Sequence, residues 1–173
     1  MDTFNHTTTK FREIDWPAQF ESVLQVVIQQ FELDIDEIHG LPHWSRVLQN
    51  GWQLAAETGA DLEVITTFAF FHDCRRLNDG YDPEHGLRGA EYARELRQQL
   101  PNFTDEQFDQ LYEACRDHSD GLIEADITVQ TCWDADRLDL GRVGIRPIPR
   151  RLCTLAARKE AIIEEAWIRS RSE

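Results

Sequence analysis

Apolar residues recur along this chain at intervals of three and four, a spacing that predicts one helix after another. Phe20, Val23, Leu24, Val27, Ile28 and Phe31 form the first such stripe, a helix opened by Pro17 and about 15 residues long. A second helix starts near Pro42 and runs towards Glu57, where Thr58-Gly59 ends it; proline suits a first turn because its missing N–H would be unpaired there anyway. Asp61 reads as the N-cap of a third helix through Phe71, and Asn78-Asp79-Gly80 with Asp82-Pro83 marks the loop that follows. Residues 84–100 form a fourth helix, stopped by Pro101. Thr104-Asp105-Glu106-Gln107 is a capping-box pattern that starts a fifth. Asp126 or Thr128 opens a sixth through Leu140, and a long last helix covers Ile148 to Arg169, beginning near Pro149. No alternating run of β-branched residues argues for a strand. The expected fold is therefore all-α: one helical bundle of six to seven helices over residues 16–173, preceded by a polar tail over 1–15.

Composition narrows the partners. A formal charge of −14 argues against long nucleic acid, which needs many basic groups to neutralise its phosphates. A small anion remains compatible, because a bound divalent metal can dominate the local field whatever the net charge. The N-terminal stretch lacks the basic start and apolar run of a signal peptide. No segment reaches the roughly 18 to 20 apolar residues that span a bilayer, so the expected setting is cytoplasmic and away from membranes. Cys74, Cys115, Cys132 and Cys153 have no CxxC spacing and read as reduced packing residues. Trp167 and Ile168 near the end could dock on the core or on a second copy of the chain, so a homo-oligomer is compatible with the sequence.

Chemistry shows where ionisable residues interrupt the apolar stripes. His118 continues the face of Phe108, Leu111, Tyr112 and Cys115, and Asp136 shares a face with Val129, Cys132, Trp133 and Leu140. His72-Asp73 directly follows Thr67-Phe68-Ala69-Phe70-Phe71, the most apolar run of the chain. A carboxylate on a buried face costs several kcal/mol unless a cation, a dense hydrogen-bond set or a metal accompanies it. A plain ion pair with Arg137 or Arg142 would satisfy Asp136, and isolated inward histidines are usually hydrogen-bonded core residues. In combination, imidazoles and carboxylates are the ligand types suited to zinc, manganese and iron.

Three segments carry a family resemblance. His43-Trp44-Ser45-Arg46-Val47 resembles the HxxRV opening of HD-domain proteins, Phe71-His72-Asp73 resembles the doublet that names them, and Ala135-Asp136-Arg137-Leu138 is similar to their distal ADxL segment. The resemblance covers roughly residues 36–145. It implies an HD-type helical domain in which His43, His72, Asp73 and Asp136 are metal ligands. His85 and His118 match the two extra histidines of the family's binuclear branch, with Asp73 then bridging two ions and His72 and Asp73 at the catalytic centre. One or two divalent ions (Fe, Mn, Zn, Mg or similar) follow as cofactors. The implied activity is a metal-dependent phosphohydrolase that acts on a nucleotide or other small phosphate ester through a metal-activated water. Arg75, Arg76, Arg88 and Arg142 are candidate phosphate clamps, Arg146 another, and His39 a substrate-facing candidate. The chain lacks the GYP segment of the cyclic-dinucleotide branch. Two alternatives stand beside the hydrolase: an HD-type diiron oxygenase acting on a small polyol or phosphonate, and a non-catalytic domain that binds a nucleotide or a metal.

Overall fold

The computed structural model describes residues 16–100 and 102–172; the expected tail over 1–15 and the stop at Pro101 lie outside them. Among the described residues there are seven α-helices: α1 (Glu21–Gln29), α2 (Leu41–Thr58), α3 (Leu62–Phe71), α4 (His85–Glu95), α5 (Asp105–Asp117), α6 (Ile127–Leu138) and α7 (Glu160–Arg171). Among the described residues there is no strand, and no helix is long and apolar enough to cross a membrane.

The most apolar helix sits at the centre. Every residue of α3 from Val64 to Phe71 is buried, and α3 packs against α2, α5 and α6 while touching α1 and α4. An all-round apolar helix has no solvent face to offer, so its neighbours must enclose it. Phe68, Phe70 and Phe71 join Trp44, Trp133, Ile65 and Leu111 in the main core, and each is fully buried. A smaller cluster of Leu54, Leu138, Leu152, Ala157 and Ile163 fixes α7 to the back of α2 and α6.

Local chemistry sets where these helices begin. Asp61 caps α3 by accepting from the N–H groups of Glu63 (2.9 Å) and Val64 (3.0 Å). Thr104 and Gln107 form the expected reciprocal capping box at α5. At α6 the capping oxygen belongs to Asp126, which accepts from Thr128 N–H at 2.8 Å, and Thr128 is already inside the helix.

Several expected boundaries change. α4 ends at Glu95 and continues only as a 3₁₀ turn over Arg97–Gln99. α6 ends at Leu138 and passes into a 3₁₀ segment over Asp139–Val143. The largest correction is the last helix, which starts at Glu160 rather than near Pro149. The buried Asp134 carboxylate takes the N–H groups of Cys153 (2.6 Å) and Thr154 (2.8 Å) together with the Thr154 hydroxyl (2.8 Å). Those donors cannot also serve a helix, so residues 144–159 run as an irregular strap across the end of α6. All four cysteines are buried and unpaired in disulfides.

Candidate metal centre

Six of the expected residues converge at one end of the bundle, brought there by five different helices or their ends. His43 lies in the first turn of α2, while His72 and Asp73 follow directly on α3. His85 is the first residue of α4, His118 caps the end of α5, and Asp136 stands in the last turn of α6. His43, His72, Asp73, His85 and His118 are all buried. Asp136 is the least covered of the six, its side chain 13% exposed.

The geometry divides into an inner and an outer group joined by Asp73. In the inner group His43 Nε2 lies 2.9 Å from His72 Nε2 and 3.4 Å from Asp136 Oδ1. Asp73 Oδ2 faces this group at 3.6 Å from His43 and 3.8 Å from His72. In the outer group His85 Nε2 and His118 Nε2 are 2.9 Å apart, and Asp73 Oδ1 lies 3.2 and 3.5 Å from them. One carboxylate thus presents one oxygen to each histidine pair.

Hydrogen bonds on the far side of each ring fix which nitrogen faces inward. His72 Nδ1 donates to the carbonyls of Phe68 (3.0 Å) and Ala69 (3.1 Å), His118 Nδ1 to that of Cys115 (2.7 Å), and His85 Nδ1 to that of Asp82. His43 differs, since its Nδ1 donates at 2.7 Å to the carboxylate of Asp139. A carbonyl or carboxylate only accepts, so each Nδ1 carries the proton and each Nε2 turns a lone pair into the cluster. Two lone pairs at 2.9 Å repel unless a proton or a metal ion lies between them. Two nitrogens about 2.1 Å from a metal and at right angles to one another would stand about that far apart. The donor set therefore fits a pair of divalent ions, and its imidazole content suits iron, manganese or zinc better than magnesium.

The electrostatics agree. Burial drives the His72 imidazole down to about 3, keeping it neutral and available as a ligand. Burial alone would raise the Asp73 and Asp136 carboxyls. The histidines around them override it: His72, His118 and His85 for Asp73, His43 and His72 for Asp136, so both are held below the usual carboxylate range. Burial also opposes a proton on His118, but its contact with Asp73 prevails and raises the group.

Close backbone packing brings the outer histidines together. A Cβ on Gly86 would lie 2.5 Å from the Cys115 carbonyl oxygen and 3.1 Å from His118 Nδ1, and one on Gly89 would lie 2.5 Å from the Phe71 carbonyl oxygen. Glycine at both positions lets α4 seat directly on α5 and on the end of α3.

A pocket of about 510 Å³ opens over the outer group, with Asp73, His85, His118 and Asp136 on its floor. His43 and His72 lie beneath that floor, both wholly buried. Arg76, Arg137, Arg142, Arg146 and Arg151 line the walls, a concentration of positive charge in a chain of net charge −14. Arg142 is stapled by Nε to the Ile38 carbonyl (3.0 Å) and by Nη1 to that of Asp139 (3.1 Å), which leaves Nη2 3.9 Å from Asp136. Arg76 holds Asp73 through Nε at 3.2 Å.

The other candidate clamps go elsewhere. Arg75 reaches the Gln30 carbonyl (3.3 Å) and stacks on Tyr92, away from the pocket. Arg88 grips both oxygens of Asp82 (2.7 and 2.6 Å) and the Arg75 carbonyl (3.0 Å), so it ties down the loop after α3. His39 pairs with Asp79 at 2.9 Å, securing the tip of that same loop. Arg137 forms no ion pair with Asp136; it donates to the carbonyls of Leu122 (2.6 Å) and Arg151 (3.1 Å) and so anchors the strap.

Asp139 and its partner Arg46 were given no role from the sequence. Asp139, 1% exposed, accepts from His43 and from Arg46 Nε (2.6 Å) and Nη2 (3.1 Å). The only sequence signal was the i, i+3 placement of His43 and Arg46, which points both side chains to one side of α2.

No protein-family model matches this chain, and no curated protein does. Among solved structures it is similar to a predicted HD superfamily hydrolase from an uncultured Thermotogales bacterium. The two share 27% identity over 87% of this chain and 86% of that one, with a TM-score of 0.68. In its all-helical architecture, and in histidines and aspartates that converge on one centre able to hold a metal, the chain is thus similar to an HD superfamily hydrolase.

Proposed function

We propose that this protein is a metal-dependent hydrolase of phosphate esters, with His43, His72, Asp136 and Asp73 Oδ2 holding an inner divalent ion and Asp73 Oδ1, His85 and His118 an outer one. The likeness to a predicted HD superfamily hydrolase supports hydrolysis at the family level. The observation that carries the phosphate reading is the arginine-lined pocket directly above the histidine and aspartate cluster. Bound divalent ions supply Lewis acidity towards a phosphoryl oxygen and lower the pKa of water to about 7.

The chain's own residues do the positioning. Arg142, fixed through Nε and Nη1, offers Nη2 to a phosphate oxygen beside Asp136, as a single charge-assisted hydrogen bond. Arg76 keeps Asp73 oriented between the two groups. Asp73 is thus the residue on which both halves depend.

The test is a metal-supplemented screen of nucleotides and simple phosphate monoesters, run alongside elemental analysis. Turnover by the wild type and its loss to background in Asp73→Ala, with the bound metal lost too, is the expected result. Turnover equal to wild type in that variant would refute the reading. So would mixed-valent iron with oxygen uptake on a polyol or phosphonate, which would identify an oxygenase instead.

A further inference from the structure

Above the metal centre the pocket changes character. Leu140, Ile145, Pro147, Ile148 and Leu152 form one wall of it, all from the segment that follows α6. Ile145 is 55% and Ile148 39% exposed. Apolar side chains left in water at the mouth of a polar, histidine-lined site gain by being covered, at roughly 25 cal/mol per Å². A cavity of about 510 Å³ is of the size that encloses a drug-sized molecule rather than a bare anion.

The strap that supplies this wall is held rigidly. Asp134 binds its N–H groups at Cys153 and Thr154, and Arg137 binds the Arg151 carbonyl. The Arg151 side chain is in a different state from the other arginines of the pocket. Arg146 is neutralised by Glu160 (2.8 Å) and Glu164 (2.7 Å), Arg76 by Asp73, and Arg137 and Arg142 are bonded to carbonyls. Among the described residues no carboxylate pairs with Arg151, although it lines the pocket beside Leu152. A fixed backbone with a guanidinium that has no acidic partner is a ready receptor for an anion carried by the ligand.

Resting on the hydrolase reading above, we infer that the substrate is an amphiphilic organic phosphate. Its phosphate lies at the metal centre, its apolar or ring-bearing body against Leu140, Ile145, Pro147, Ile148 and Leu152, and a second acidic group at Arg151. The segment over residues 140–152, the end of the 3₁₀ turn and the first half of the strap, is then the part of the chain that selects the leaving group.

Three phosphonates that cannot be hydrolysed at a P–O ester bond test this: methylphosphonate, benzylphosphonate and 4-carboxybenzylphosphonate, titrated calorimetrically into the metal-loaded protein. Affinity should rise by about tenfold or more from the first to the second through apolar burial, and severalfold again to the third. Ile145→Ser should shrink the first step, and Arg151→Ala should reduce the second to a ratio near one. Both residues are exposed, so neither change threatens folding. Equal binding of all three ligands overturns this inference and leaves the hydrolase reading standing. Graded binding in a protein that turns over no phosphate ester refutes the reaction and leaves the pocket assignment intact.

Discussion

Replacing Asp139 by Asn separates holding a metal from holding the fold. Asp139 is 1% exposed and receives three short donors: His43 Nδ1 at 2.7 Å and Arg46 at 2.6 and 3.1 Å. Asparagine keeps one acceptor oxygen and turns an N–H₂ towards a second donor, so at least one charge-assisted bond is lost. Such bonds contribute about 1.5–3 kcal/mol each, and a buried partner left unpaired adds to the loss. The metal-free variant should therefore be destabilised by about 2–4 kcal/mol. By accepting its far-side proton Asp139 would also make His43 a stronger metal ligand, and removing such a partner typically weakens metal binding about 10- to 100-fold. Urea unfolding of the metal-free chain reads the first effect, and competition with a chromophoric chelator reads the second. Asp134→Asn is the matched control, because that buried carboxylate also accepts three short donors but serves only the strap. It should lose comparable stability and keep wild-type metal affinity. If Asp139→Asn binds metal within twofold of wild type, or if Asp134→Asn weakens it equally, the argument for His43 is wrong.

Two further outcomes follow from the geometry. In Gly86→Ala the new methyl would meet the Cys115 carbonyl at 2.5 Å, an overpacking that costs about 1–3 kcal/mol. It should push α4 off α5 and lower affinity at the outer group while the inner one persists, seen as two separated steps in a metal titration; a single unchanged step would contradict this. The metal-free protein should also lose stability on acidification. His72 sits near 3 in the fold and at 6.5 when exposed, so between those values the unfolded chain binds a proton that the folded chain refuses. Stability from this group is complete above about 6.5 and falls by up to about 1.4 kcal/mol per pH unit below it. His72→Gln should flatten that part of a stability-against-pH curve; an unchanged slope would show that another group is responsible.

Much of the site was legible because its signals are local. Asp61 and Thr104 announced their helices through side chains that answer nearby N–H groups, and Phe68 to Phe71 marked the central helix by composition alone. His118 and Asp136 drew notice as polar residues on apolar faces. Asp139 gave no such signal: its partners lie 93 and 96 positions away, and only the crossing of α2 with α6 brings them together. The last helix was misplaced for a similar reason. Residues 149–158 have helical composition, but Asp134 claims two of their N–H groups from a distance. Arg75, Arg88 and Arg137 illustrate the limit of proximity in sequence, since each stands close to an expected ligand and turns to a backbone carbonyl or a loop carboxylate instead.

The layering of the centre also dictates an order of assembly. His43 and His72 have no surface of their own, and the pocket reaches them only past Asp73 and Asp136. An ion held by His85 and His118 would stand in that doorway. If two ions bind, the deep position would have to fill first and empty last, so a brief chelator wash would strip one ion quickly and the other only after it.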